Sequence, residues 1–262
     1  MVHVSEPDAA TQLTALQAVG AAFDTDDAAL APLYTYPDQP DRPWVRANMI
    51  TSLDGGATDD GRSGGLAGVG DRALFNLMRQ AADVILVGAA TVRIENYGGA
   101  QLSAAQRQAR QARGQAEVPP IAVVTHTADF AHDSRLFATA EALPMVLTCR
   151  ESADEATRRL GGLAEVIDAS GPETDRVDPH TVLAIFAERG LLRVLTEGGP
   201  SLLSLLIEED LLDELCLTVA PILVSGSARR IASGDGQAHT RMRRSHLLTD
   251  DEGYLYTRYV RA

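Results

Sequence analysis

The chain has 262 residues, of which 45% are hydrophobic and 23% are charged, and its formal net charge is −13. This length and composition predict one sizeable α/β domain with a large core, and the acidic balance argues against nucleic acid and anionic membrane surfaces as partners. All 23 basic residues are arginine. The absence of lysine excludes a standard P-loop and a lysine Schiff base.

Residues 1–43 are acidic and contain several prolines, with a short amphipathic stretch at 13–23. From Trp44 onwards, strand and helix patterns alternate without an internal repeat or a linker. We therefore predict an N-terminal extension at 1–43 and a single domain at 44–262. The alternation is typical of a mostly parallel sheet with helices on both faces.

The predicted elements follow from hydrophobic periodicity and turn residues. Glycine, serine and aspartate make 52–70 a loop, and the alternating pattern at 254–260 predicts an antiparallel edge strand. The predicted strands are 44–50, 84–87, 121–125, 145–148, 164–167, 192–196, 214–219, 222–224 and 254–260. The predicted helices are 71–81, 103–114, 153–160, 179–189 and one that begins at Pro200. Three arginines lie on helix 103–114, which we interpret as a solvated helix.

Cysteine and histidine give no sign of a metal site. Cys149 and Cys216 lie in separate apolar runs, which favours buried, reduced thiols, and the six histidines lack metal-ligand spacing. We predict no bound metal. No apolar run reaches membrane-spanning length and the N-terminus does not resemble a signal peptide, so we expect a cytoplasmic protein.

Strand 192–196 runs directly into Glu197-Gly198-Gly199-Pro200-Ser201. Proline suits the first turn of a helix, glycine lets a ligand approach the backbone, and the free N–H groups of a helix start attract anions. This motif predicts a phosphate cradle with a carboxylate beside it. By itself, the motif is equally compatible with a glycine-rich turn that binds nothing.

Four segments leave predicted strands at the carboxyl edge of the sheet, where ligands of such folds bind. They are 51–55, 88–91, 125–127 and 197–199. Together they predict a dinucleotide site beside a small polar substrate. The chain lacks G-x-G-x-x-G, which disfavours an ordinary Rossmann dehydrogenase. No predicted strand runs into a helix through G-x-S-x-G, the nucleophile elbow of a serine hydrolase, because the one match at 61–65 lies within the predicted loop.

In this order, the motifs resemble the reductase domain of riboflavin biosynthesis, which has a dihydrofolate-reductase-like fold. The resemblance spans about residues 43–260 and rests on the segments 52–55, 77–79, 83–88, 91–92, 197–199, 212–215 and 220–221. It implies NADPH as cofactor, a homodimer, and hydride transfer of the 5-amino-6-(5-phosphoribosylamino)uracil reductase type. The H-x-E and P-C-x-x-C motifs of the zinc deaminase found in many relatives are absent, so we expect a stand-alone reductase.

The resemblance also implies a role for individual residues. Glu197 matches a substrate-contacting position and Asp54 is nearby, and because hydride transfer leaves an atom that needs a proton, we predict these two as catalytic residues that orient the substrate or relay a proton. Those implied to bind substrate are Asn48, Ser52, Ser63, Arg79 and Glu197. Those implied to bind NADPH are Gly88 and Thr91 at the nicotinamide, Gly198, Gly199, Pro200 and Ser201 at the pyrophosphate, Thr125 and His126 at the adenosine ribose and its 2′-phosphate, and also Glu95 and Leu202.

One stretch departs from the relatives, which have Asp-Pro after the threonine segment and, several residues later, an arginine that grips the substrate phosphate. Here the proline is absent and Leu102 replaces the arginine. Losing such a contact costs on the order of 1.5–3 kcal/mol. Either Arg93 or Arg62 replaces it, or the substrate is a flat pterin such as dihydrofolate. A protein that binds NADPH without turnover is a further alternative.

Overall fold

The alternating strands and helices form one nine-stranded sheet in a computed structural model that describes Asp24 and residues 28–262. The amphipathic stretch 13–23 lies outside the described residues. The strands are β1 Trp44–Thr51, β2 Val84–Gly88, β3 Ile121–Val124, β4 Met145–Thr148, β5 Glu165–Asp168, β6 Arg193–Thr196, β7 Glu214–Val219, β8 Met242–Thr249 and β9 Leu255–Arg261. The α-helices are α1 Val69–Ala81, α2 Ala89–Ile94, α3 Ala104–Ala112, α4 Arg135–Ala138, α5 Arg150–Leu160, α6 Pro179–Glu188 and α7 Pro200–Glu208. Two 3-10 helices span Ala28–Tyr34 and Ser63–Gly65.

The sheet order is β5-β4-β3-β2-β6-β1-β7-β9-β8. All pairings from β5 to β7 are parallel, and β9 is antiparallel to both β7 and β8. Apolar clusters pack on both faces of the sheet, one containing α1 and α5 and the other containing α6 and α7. This architecture confirms the predicted fold class, a mostly parallel α/β sheet with an antiparallel C-terminal edge.

Near the C-terminus, one predicted strand is absent and one predicted edge strand is not at the edge. Residues 222–224 form no strand, because their backbone groups bind the turn at residues 52–56 and not a neighbouring strand. The predicted edge strand 254–260 corresponds to β9, which is paired on both sides, and the edge strand is β8. Strand β8 was not predicted because its exposed polar run, Arg243-Arg244-Ser245, interrupts the alternation of hydrophobic and polar residues that indicates a strand.

Helix α3 is not the fully solvated helix that we predicted, because Arg110 is completely buried. Its guanidinium group donates hydrogen bonds to the backbone oxygens of Gln80, Ala82 and Ala116. Burial lowers the pKa of Arg110 to about 10. The arginine thus fastens α3 to the C-terminal end of α1, where the carbonyl groups of a helix lack intrahelical partners.

The described part of the predicted extension packs on the sheet. Arg46 and Arg258 donate hydrogen bonds to backbone oxygens between Leu33 and Thr35, and both arginines also bind Glu214. The division at residue 43 stays a prediction. The two cysteines are buried and unpaired, as predicted, and burial raises the pKa of Cys216 to about 12.

Candidate active site

A cavity of about 1260 Å³ opens at the carboxyl ends of β1, β2, β3 and β6. Most ligand pockets of proteins measure about 300–1,000 Å³, so this cavity has room for a large ligand or for two ligands side by side. Its walls come from strand ends, α1, α2 and the first turn of α7. The position is the one that parallel α/β sheets commonly use for ligands.

The cavity brings together most of the predicted site residues. Those that line it are Asn48, Ser63, Arg79, Gly88, Thr91, Glu95, Thr125, His126, Glu197, Gly199, Pro200, Ser201 and Leu202. Three predicted residues do not line it, namely Ser52, Asp54 and Gly198.

The two glycines before α7 form a tight backbone cradle. The Gly88 N–H donates to the Gly198 oxygen at 2.7 Å, and the peptide bond between Gly198 and Gly199 is cis. A Cβ atom on Gly199 would lie 2.5 Å from Oγ1 of Thr91. The N-cap of α7 has no side-chain hydrogen bond, so the N–H groups of its first turn remain available to an anion.

Two further pairs of predicted residues fix the walls of the cavity. Glu95 accepts a hydrogen bond from the Ser63 N–H at 2.7 Å, which ties the 3-10 helix at 63–65 to the end of α2. Thr125 accepts one from the Ala128 N–H, and the His126 oxygen accepts one from Thr148. These bonds shape the loop after β3 and leave both residues on the cavity wall.

Asp54 and Ser52 act outside the cavity as a clamp between two loops. The Asp54 carboxylate accepts hydrogen bonds from Oγ of Ser52 at 2.6 Å and from the N–H groups of Val224 and Ser225 at 3.2 and 2.7 Å. These donors, first the Ser52 hydroxyl, lower the pKa of Asp54 to about 2. The clamp holds the long segment after β7 against the turn at residues 52–56.

Glu197 lies at the centre of a cluster that also contains Arg79 and Tyr97. Arg79 donates from Nε to Oε1 and from Nη2 to Oε2 of the carboxylate, both at 2.7 Å, and the Tyr97 hydroxyl donates to Oε2 at 2.6 Å. The Arg79 guanidinium carbon lies 4.2 Å from the centre of the Phe75 ring. Only 2% of the Glu197 side chain is exposed, compared with 13% of the Arg79 side chain.

The structure shows where the residues considered for the substrate phosphate lie. Leu102, in the place expected for an arginine, is buried, and Arg62 does not line the cavity. Arg93 lines it, but one guanidinium nitrogen donates to the Asp129 oxygen at 3.3 Å. The other cavity arginines besides Arg79 are Arg72, Arg135 and Arg229.

The sequence predictions included Arg79 on α1 but not the other residues of the same helical face, and they did not include Tyr97. Arg72, Phe75, Asn76 and Arg79 all line the cavity, and their spacing of three and four residues puts them on one helical face, a signal that was present in the sequence. Tyr97 gave no signal beyond its place in the departing segment, because its partner Glu197 is 100 residues away.

The described residues add two observations about possible ligands and location. No group of three or more His, Cys, Asp or Glu side chains among them is arranged to hold a metal ion. In the same part of the chain, no helix combines the length and the hydropathy needed to cross a membrane.

Together, the mostly parallel sheet and the cavity define an α/β protein whose candidate ligand site lies at the carboxyl edge of the sheet. The chain belongs to the RibD C-terminal domain family, whose profile matches residues 43–256. The predicted family is therefore confirmed.

Relatives of known name agree with this membership. The chain is 31% identical over 186 residues to a 2,5-diamino-6-ribosylamino-4(3H)-pyrimidinone 5′-phosphate reductase of Archaeoglobus fulgidus, covering 71% of this chain and 83% of the relative. It is 31% identical over 198 residues to the riboflavin biosynthesis protein RibD of Bacillus amyloliquefaciens, covering 74% of this chain and only 50% of the relative. The crystal structure of a pyrimidine reductase-like protein from Corynebacterium diphtheriae superposes with a TM-score of 0.76 at 28% identity, covering 84% of this chain and 92% of the other.

Proposed function

We propose that this protein is an NADPH-dependent reductase of a ribosylaminopyrimidine 5′-phosphate, similar in activity to 5-amino-6-(5-phosphoribosylamino)uracil reductase. The observation that carries the proposal is one cavity that joins a glycine cradle at the start of α7 to a polar cluster around Glu197. The names of the relatives support the substrate class.

The residues around the cradle fit a dinucleotide. Gly199 has no room for a Cβ atom beside Thr91, and the first-turn N–H groups of α7 suit a pyrophosphate. Gly88 and Thr91 would flank the nicotinamide, and Thr125 with His126 would meet the adenosine ribose. When bound, NADPH supplies the hydride.

The contribution of the protein to the reaction is mainly positioning. When the protein holds the substrate and the cofactor at the correct distance and angle, the entropic cost of bringing them together no longer contributes to the activation barrier. Asn48, Ser63 and Arg79 line the same cavity as Glu197 and would orient the pyrimidine. Only 2% of the Glu197 side chain is exposed, so we assign it to orienting the substrate through Arg79.

Absorbance at the nicotinamide band tests the proposal directly. We expect NADPH oxidation when the protein is mixed with the ribosylaminopyrimidine 5′-phosphate. If NADPH binds but no oxidation occurs with this substrate, the proposed activity is wrong. Dihydrofolate provides a second arm, because Leu102 in place of an arginine favours a substrate without a phosphate at that position. Binding without oxidation in both arms would indicate a non-catalytic NADPH-binding protein.

The resemblance also leads us to propose a homodimer. Light scattering of the purified protein would then give twice the chain mass of 27.9 kDa. A mass of one chain at micromolar concentration would contradict this part of the proposal.

A further inference from the structure

Tyr97 lies in the segment that follows α2, and its hydroxyl donates to the Glu197 carboxylate at the centre of the cavity cluster. We propose that Tyr97 is a positioning residue that fixes Glu197 and Arg79 in a neutral cluster, which binds the uncharged heterocycle of the substrate and not its phosphate. This inference rests on the proposed function and names the part of the substrate that this end of the cavity accepts.

The geometry shows that the carboxylate is held by two side chains. Arg79, near the end of α1, binds both oxygens, and Tyr97, after α2, also donates to Oε2. Glu197 itself follows β6, so three separate elements meet at one carboxylate. With both oxygens occupied and 2% of its side chain exposed, Glu197 has little freedom to turn toward a ligand.

The charges of the cluster cancel. Arg79 carries one positive charge and Glu197 one negative charge, and they form a bidentate pair. Burial, followed by the negative charge of Glu197, raises the pKa of Tyr97 well above its ordinary value, so the phenol stays neutral. A phosphate dianion needs an uncompensated cation, whereas a heterocycle with carbonyl and N–H groups needs hydrogen-bond partners.

Arg79 keeps one nitrogen for such a partner. Nε and Nη2 bind Glu197, whereas Nη1 binds neither carboxylate oxygen. The Phe75 ring covers one face of the guanidinium group and restricts its movement. Arg79 therefore offers a fixed donor to a carbonyl or ring-nitrogen acceptor in the cavity.

Two matched variants test the positioning role. Tyr97→Phe and Tyr256→Phe each remove a phenol that donates to a carboxylate, but Tyr256 binds Asp250 and does not line the cavity. We expect Tyr97→Phe to lower kcat/KM for the pyrimidine substrate on the order of 10- to 100-fold, with an unchanged Kd for NADPH. Tyr256→Phe should keep kcat/KM within about twofold of the wild type.

The charge of the cluster is tested by calorimetric titration of inorganic phosphate into the protein saturated with NADPH. Glu197→Gln leaves Arg79 uncompensated, so phosphate should bind at least about tenfold more tightly. Arg79→Gln removes the cation and should not strengthen phosphate binding, and Tyr97→Phe changes no charge and should leave it unaltered.

The outcomes separate this inference from the proposed function. Wild-type kcat/KM in Tyr97→Phe, or a parallel loss of NADPH affinity, would overturn the positioning role. Unchanged phosphate affinity in Glu197→Gln would overturn the neutral cluster. Phosphate affinity does not depend on turnover, so a wild-type protein that fails to oxidise NADPH would contradict the proposed function separately.

Discussion

Two arginine–glutamate clusters in the described part of the chain have a buried carboxylate, and they differ in what surrounds them. Glu214 binds Arg46 and Arg258 at 2.6 and 2.8 Å, and neither Glu214 nor Arg46 has any exposed side-chain surface. Glu197 binds Arg79 and Tyr97 on the wall of the large cavity. The first cluster joins β1, β7 and β9 to the segment at residues 28–36, whereas the second faces a ligand.

The difference shows how a similar ion pair can stabilise a fold in one place and define a site in another. Around Glu214, the second arginine adds a positive charge, and backbone oxygens from Leu33 to Thr35 accept the remaining guanidinium N–H groups. Around Glu197, a neutral phenol takes the place of the second arginine. The Glu214 cluster is complete without a ligand, but the Glu197 cluster still offers Nη1 of Arg79 to one.

Glu214→Gln should produce the largest loss of stability. The variant leaves two buried guanidinium groups without a negative charge, which costs about 3–5 kcal/mol of unfolding free energy. Denaturant titration followed by circular dichroism measures this loss. A change below about 1 kcal/mol would show that the ion pair contributes little to the fold.

Acid should weaken the same cluster. Burial raises the pKa of Glu214, but the charges of Arg46 and Arg258 outweigh this effect and hold the pKa below the ordinary value of 4.5. Because the folded pKa is the lower one, the stability from this carboxylate is complete above 4.5 and is lost as the pH falls through the folded pKa. The denaturation midpoint of the wild type should therefore fall more on acidification than that of Glu214→Gln. Equal falls would contradict the role of Glu214.

Gly199→Ala should affect the cavity and leave the Glu214 cluster intact. The new Cβ atom would lie 2.5 Å from Oγ1 of Thr91, so the cradle must open. We expect a Kd for NADPH that is at least about tenfold higher, equivalent to about 1.4 kcal/mol. Fluorescence titration measures this Kd, and an unchanged value would show that the cofactor does not use the cradle.

Asp54→Asn should have the smallest effect of the series. Asp54 is an exposed carboxylate outside the cavity that binds the loop at Val224 and Ser225. The single amide oxygen of asparagine can replace only one of the two carboxylate oxygens that accept these bonds, so the loop contact weakens. Because this contact lies outside the cavity, kcat/KM should stay within about twofold of the wild type. A loss of tenfold or more in steady-state assays would support the catalytic role that we predicted for Asp54 from the sequence.

The sequence predicted the elements whose signals are local. The apolar strands 145–148 and 214–219 and the Glu-Gly-Gly-Pro turn have the predicted structure, because their patterns are complete within a few residues. The missed edge strand β8 has no alternating hydrophobic pattern. Buried Arg110 and the Tyr97–Glu197 bond could not be predicted, because each depends on partners that are brought close only by the fold.

Glu197→Gln tests most directly the claim that the cavity cluster serves function and the Glu214 cluster serves the fold. NADPH oxidation and denaturant unfolding are measured on this variant and on Glu214→Gln. We predict that Glu197→Gln loses at least about 100-fold in kcat/KM and less unfolding free energy than Glu214→Gln. Wild-type kcat/KM in Glu197→Gln, or a larger loss of stability than in Glu214→Gln, would contradict the account.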